Sequence, residues 1–277
     1  MNRPGARCGI CSALLLACWA AAGLAQNAPA AGAQNGSSAA VLPGGAAEAG
    51  STKPNLARGL AALHDNEART ALTDFQQVLE SDPNNTAANL LASTAAVELF
   101  QGQAAVQYAE KARQLDPGNW KIHTTLVAAY SAAGMKQQRD QERALLHEMH
   151  KTGASDARLA TGFLLEMFPV EQYRVDAVEY FEPLGKFHTW YRFLVRQANG
   201  HRVWEIDVES DDFDQKSWAE AHPREAAAGE RQFQITGRGG DSNSVDYRMF
   251  SGMPDYDNIR VMVVEILRTH GIPGEKS

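Results

Sequence analysis

The side chains best placed for chemistry lie in the second half of this 277-residue chain. Glu205, Asp207, Glu209, Asp211, Asp212 and Asp214 form an acidic run of hard carboxylate oxygens, the ligand type that calcium takes. An EF-hand loop needs a glycine at its sharp turn, and Asp212 stands there instead. Strand alternation turns Glu205, Asp207 and Glu209 to the outward face, so the expectation is a solvated face without metal. His147 and His150 are three apart on a helix, a spacing at which two imidazoles can share a metal. The intervening Glu148-Met149 does not make the His-Glu-x-x-His pattern, and a polar helix end is the expectation. Gly237-Arg238-Gly239-Gly240 has the look of a phosphate cradle but joins two strands instead of opening a helix, which makes it a hairpin loop. His188, His201, His222 and His270 form no constellation, and no Gly-x-Ser-x-Gly elbow is present. The expectation is therefore no enzyme and no cofactor.

The elements that carry these residues follow the period of two. Tyr173, Val175 and Ala177 alternate with Arg174 and Asp176; Tyr191, Phe193 and Val195 with Arg192 and Leu194; Trp204, Ile206 and Val208 with Glu205 and Asp207. Asn199-Gly200 joins the last two as a tight hairpin. Further strands are expected at Gln232–Thr236 and Val245–Phe250, and one at Gly162–Phe168, where Leu164–Met167 can equally end a helix. Pro254-Asp255 opens a final helix whose stripe is Ile259, Met262, Val263, Ile266 and Leu267, with Gly271 as its stop. This predicts, over residues 153–277, an antiparallel sheet with a helix laid across one face, an α+β domain.

Asn55 to Lys151 reads differently, as helix formers broken by Asp82-Pro83-Asn84 and Asp116-Pro117-Gly118 and by Gly59, Gly102, Gly118 and Gly134. The two Asp-Pro pairs are 116 − 82 = 34 residues apart, the period of the tetratricopeptide array. Helices are predicted near 55–65, 67–81, 85–101, 103–115, 119–133 and 136–151, with Leu60, Leu63, Leu72, Phe75, Val78, Leu79, Leu91, Leu99, Tyr108, Leu115, Leu126, Tyr130 and Leu145 buried between pairs. Residues 52–151 resemble the tetratricopeptide family. Gly59, Ala71, Phe75 and Pro83 match its first repeat, Ala105, Ala112 and Pro117 its second, and Leu126, Tyr130 and Gly134 its third. Gly102 comes two residues late and Tyr108 one residue early, and Arg139 and Arg143 stand where a small residue and an aromatic belong. The last departure fits the end of a stack, whose outer face is polar. The resemblance implies a helical solenoid over 54–152 that holds a protein or peptide in its concave groove, lined by the first helix of each pair. It makes Leu60, Leu90, Thr94, Lys121 and Thr124 the contact residues.

The N-terminus carries its own information. Arg3 and Arg7, an apolar run from Cys8 to Leu24 and the small residues Gly23 and Ala25 read as an export signal over 1–25, cut before Gln26. Leu15-Leu16-Ala17-Cys18 resembles a lipobox, so a lipid anchor at Cys18 is the alternative. All three cysteines lie in this segment, and cleavage leaves neither a disulfide nor a thiolate. It also removes two arginines, taking the charge to 24 − 33 = −9, unsuited to nucleic acid. Residues 26–53, rich in Ala, Gly and Ser, form a disordered tether. The expected protein is periplasmic or secreted, or else an envelope lipoprotein, with no transmembrane segment in the mature chain. Its expected role is a scaffold that binds a protein or peptide partner. The rival reading makes the C-terminal domain a small-molecule binder or hydrolase, with a pocket at Trp190 and Trp204.

Overall fold

In a computed structural model the described residues are 52–272, except 154, 186, 187, 211, 240–243, 253 and 254. The export signal with its cysteines, the tether as far as residue 51, Asp211, Gly240, Pro254 and the side chains of Asp212 and Asp214 lie outside the described set. Helix α1 spans Thr52–His64, so the last two residues read as tether are helical.

Asp82 and Asp116 end one helix and prepare the next by the same device. In each turn an asparagine three residues on bonds the aspartate, Asn85 Nδ2 to Asp82 at 3.2 Å and Asn119 Nδ2 to Asp116 at 2.9 Å. Each asparagine then caps the following helix, accepting from the amide of Ala88 or of Lys121. The result is the series α2 (Ala68–Ser81), α3 (Thr86–Glu98), α4 (Gly102–Leu115), α5 (Trp120–Ala132) and α6 (Lys136–Thr152), each packed on its predecessor. Contacts also link α1 to α3 and α3 to α5.

Three residues at positions 66, 100 and 134 share a left-handed backbone: Asn66 at φ 61°, Phe100 at 56° and Gly134 at 71°. They close α1, α3 and α5 at intervals of 34, so Phe100 takes the place that a glycine holds in the last turn. Gly102 serves a different need, because a Cβ there would collide with the Ala132 backbone. Gly59 likewise leaves room for the Phe75 ring.

After the short α7 (Ser155–Leu159) the chain forms β1 (Gly162–Val170), β2 (Tyr173–Leu184), β3 (Thr189–Arg196), β4 (Arg202–Glu209), β5 (Arg231–Gly239) and β6 (Ser244–Gly252), and ends in α10 (Tyr256–His270). The six strands lie in chain order, every neighbour antiparallel. Gly162–Phe168 is thus strand and not the end of a helix. Two helices between β4 and β5, α8 (Asp212–Ala221) and α9 (Pro223–Ala227), were not expected from the sequence. The molecule is a run of helices followed by an antiparallel sheet and a C-terminal helix. Among the described residues no helix is long and apolar enough to cross a membrane.

One face of the sheet is a continuous core. Val175, Ala177, Phe193, Val195, Ile206 and Ile235 pack there against Tyr256, Ile259 and Val263 of α10, and the Phe193 and Tyr256 rings stack at 6.3 Å. Leu146 of α6 and Val127 of α5 enter the same cluster, which ties the helices to the sheet. Leu145, expected inside, is 42% exposed, because α6 turns Leu146 to the sheet instead. Arg139 and Arg143 do not form a polar outer face. Arg139 bonds Asp257 of α10 at 2.9 Å, and Arg143 bonds Glu179 of β2 at 2.7 and 3.0 Å and donates to the Tyr191 hydroxyl at 3.1 Å.

Candidate functional site

The opposite face of the sheet looks toward the helices, and the contact between them is incomplete. Helical spacing puts Thr94, Val97 and Glu98 on one side of α3 and Thr124, Thr125 and Ala128 on one side of α5. Alternation puts Arg174, Asp176, Val178 and Tyr180 on the facing side of β2, and Arg192, Leu194 and Arg196 on that of β3. With Leu164 and Met167 of β1 these residues enclose a cavity of about 160 Å³. The edge of β1 is covered where Ser131 of α5 donates to the Leu165 carbonyl at 2.7 Å. A second, more open crevice of about 560 Å³ lies alongside, bordered by Asn66, Glu67, Arg69, Phe100, Glu171 and the β3–β4 turn. Glu98 and Arg174 border both spaces.

Charge on this face is arranged across strands. Arg192 stands opposite Asp207 and donates to it at 2.7 and 2.9 Å. Arg238 donates to Asp207 at 3.2 Å and to Glu209 at 2.8 and 3.0 Å, and Thr236 also donates to Glu209. Asp207 and Glu209 are 0% and 3% exposed, which corrects the solvated face expected of them. The guanidiniums of the flanking strands cover these carboxylates in place of water. Burial works against the Arg192 charge, but the hydrogen bond and charge of Asp207 outweigh it and hold the guanidinium above its ordinary pKa. Nearer the cavity Arg196 donates to Asp176 at 2.6 Å, and Arg174 Nε lies 3.0 Å from the same carboxylate without the alignment of a hydrogen bond. Arg202 pairs with Glu205 at 2.8 Å.

Glu98 differs from all of these. It is half-buried, and among the described residues it makes no hydrogen bond or ion pair. Burial pushes its carboxyl above the usual range; Arg174 and Arg196 pull it down and Asp176 pushes it up, leaving the net shift upward.

Of the residues that the resemblance singled out, Thr94 and Thr124 stand in the cavity wall. Their hydroxyls donate to the carbonyls of Leu90 and Lys121 within their own helices, so it is their methyl-bearing sides that are free for contact. Leu90 is half-buried against the neighbouring core, whereas Leu60 and Lys121 line neither space. Lys121 acts instead on Asp156 of α7, whose pKa is lowered first by the Trp120 indole bond and in small part by this lysine. Glu98, Arg174, Asp176 and Arg196 were not singled out. Their signal was the alternation of charge along β2 and β3, which fixes a face but not what covers it.

The other candidates are structural. His147 Nε2 lies 3.1 Å from Glu179, and the His150 ring stacks on Phe181 at 4.3 Å, so the pair seats the end of α6 on β2. Trp204 is 2% exposed and covers Gly237 and Gly239, which belong to β5 and not to a loop. Trp190 meets Phe233 edge-on at 6.4 Å; neither tryptophan borders the cavity or the crevice. Among the described residues no group of three His, Cys, Asp or Glu side chains is placed to hold a metal ion. Compared with models of known protein families and with curated proteins, the sequence matches none.

Proposed function

We propose that this is an exported recognition protein of the tetratricopeptide type, which holds a peptide segment of a partner protein between its first helices and the charged face of its sheet. It acts by binding and not by catalysis. The observation that carries the reading is the cavity at Thr94 and Thr124, apolar along Val97, Ala128, Leu164, Met167, Val178 and Leu194 and rimmed by charge. A space of about 160 Å³ matches the size at which apolar cavities take up a benzene-sized group, so one Leu or Phe side chain of the partner fills it. The crevice beside it gives the rest of the segment a path. The repeat interpretation is supported by the two similar Asp-Asn turns and by the left-handed residues at 66, 100 and 134. Export by the segment before Gln26, with a tether behind it and with lipidation of Cys18 as the alternative ending, belongs to the same proposal.

A random peptide library panned on the whole mature protein tests this. Selected peptides are expected to share one bulky apolar residue and to lose at least about tenfold in affinity, about 1.4 kcal/mol, for Thr94→Trp, whose ring occupies the cavity. If they bind a well-folded Thr94→Trp protein as tightly as the parent, the cavity is not the site.

A further inference from the structure

The two Asp-Pro turns are tied to the helices that follow them by side chains at equivalent places. Asn89 of α3 donates from Nδ2 to the Pro83 carbonyl at 3.1 Å. One period later, with 123 − 89 = 34 and 117 − 83 = 34, His123 of α5 sets Nε2 at 3.0 Å from the Pro117 carbonyl. An amide and an imidazole thus hold the same kind of turn, but only the imidazole titrates near neutral pH. Its other nitrogen, Nδ1, lies 2.8 Å from Oε2 of Glu142 on α6. His123 is 4% exposed and Glu142 6%, and the second Glu142 oxygen accepts from Arg113 of α4 at 2.8 Å.

A neutral imidazole offers one N–H donor and one lone pair. Both nitrogens of His123 face acceptors, so a neutral ring would turn its lone pair against the Glu142 carboxylate or the Pro117 carbonyl, and a proton on each nitrogen satisfies both. We propose that His123 is an imidazolium in the folded protein and that its second proton is a pH-sensitive tie, joining the Pro117 turn, α5 and α6 while it is held and loosening them when it leaves to solvent. With Nε2 still donating to Pro117, loss of that proton sets the Nδ1 lone pair against Glu142 and unseats α6 from α5. The charged groups that face the ring are Glu142 from α6 and Arg113 from α4; Glu110 of α4, bound by Arg113 and by the Tyr130 hydroxyl of α5, stands behind them. Burial works first against the imidazolium, but the bonds to Glu142 and Pro117 and the Glu142 charge outweigh both it and Arg113, and the folded pKa is raised. The contribution to stability is therefore complete below the unfolded value of about 6.5 and is lost as pH rises through the folded one. Thr124 and Thr125 follow His123 on α5 and line the cavity, so the helix that loosens is one that forms its wall.

Nitrogen-detected NMR of the histidine rings in the mature protein, together with urea unfolding across about pH 6–9, tests this. His123 is expected to carry a proton on both ring nitrogens at pH 7 and to titrate above the free-histidine value of about 6.5. The urea midpoint of the parent is expected to fall as the ring titrates. His123→Asn copies the arrangement at Asn89, so it should keep the fold while flattening that fall. Glu142→Gln gives a neutral ring an amide donor at Nδ1, and should bring the His123 titration down to about 6.5 or below. If the parent His123 has one protonated nitrogen at pH 7, or if its titration is unmoved by Glu142→Gln, the tie does not exist. A well-folded His123→Asn protein whose midpoint follows the parent's across the same pH range would overturn it equally. No peptide is needed for any of these measurements, so the inference stands or falls apart from the peptide reading.

Discussion

The two faces of the sheet use the same residue types to opposite ends. On the core face Arg139, Arg143 and Arg260 reach from α6 and α10 to Asp257, Glu179 and Glu166, and every one of these acids lies within hydrogen-bond distance of a cation. The Tyr256 hydroxyl adds a second donor to Glu166 at 2.6 Å, and burial leads the causes that push this phenol well above its usual pKa. Apolar side chains fill the space between. On the other face the arginines are turned along the sheet to neighbouring strands, the helices stand off, and among the described residues Glu98 makes no hydrogen bond or ion pair. Filled and paired surface holds the molecule together; unfilled surface is where a ligand can add something.

Adjacent residues of β3 test that contrast most strongly. Phe193 is fully buried in the core face and Leu194 lines the cavity. Phe193→Ala is expected to cost about 3–5 kcal/mol, and Leu194→Ala only about 2 kcal/mol because its site is already partly empty. Equal losses in urea unfolding would mean that the two faces are equally packed. Next in size is Arg143→Met, which leaves the buried Glu179 with His147 alone and should cost about 3 kcal/mol; a change below about 1 kcal/mol would show that the seam between α6 and the sheet contributes little.

The acid limb of stability separates the faces by sign. Asp257 is held at about 2, first by the hydrogen bond from Arg139 and then by Lys136 and the charges of both, with burial opposing. Its folded pKa lies below the unfolded value of about 3.9, so its contribution is complete above that pH and is lost as pH falls toward 2. Asp257→Asn should remove about 1–2 kcal/mol at pH 7 and flatten the stability profile across that window. Glu98 has the reverse sign, since a raised pKa means that ionisation works against the fold. Glu98→Gln should therefore leave thermal stability within about 0.5 kcal/mol of the parent or slightly above it. A clear loss on this substitution would show that Glu98 is paired after all.

Much of the architecture was legible in the sequence because it depends on short-range chemistry. The Asp-Pro turns, the Asn199-Gly200 hairpin and the period-two strands are decided within a few residues. What could not be read depends on the partner surface. Alternation assigns Asp207 and Glu209 to the face away from Trp204 and Ile206, but only the neighbouring strands reveal that Arg192 and Arg238 shield them there. Leu145 and Leu146 are equally apolar in sequence, and which one is buried follows from the angle at which α6 meets the sheet. Phe100 shows the same limit for the backbone. Its neighbour Gly102 was the conspicuous residue, yet the left-handed position is 100, and the glycine is required by the closeness of Ala132. The resemblance singled out Thr94 and Thr124, which stand in the cavity wall, whereas Glu98 beside them gives no local signal in the sequence.

The strand order has a consequence for how the fold is completed. Each strand pairs with the one made just before it, and each helix of the first half packs on its predecessor, so most of the molecule can assemble from contacts between successive elements. Helix α10 makes the longest returns. It returns to join Tyr256 and Arg260 to Glu166, and Asp257 to Arg139, across separations of 90, 94 and 118 residues. Helix α10 is thus a clasp that closes only after the helices and sheet it joins are made, and a polypeptide cut before Tyr256 should keep native-like secondary structure while losing cooperative unfolding.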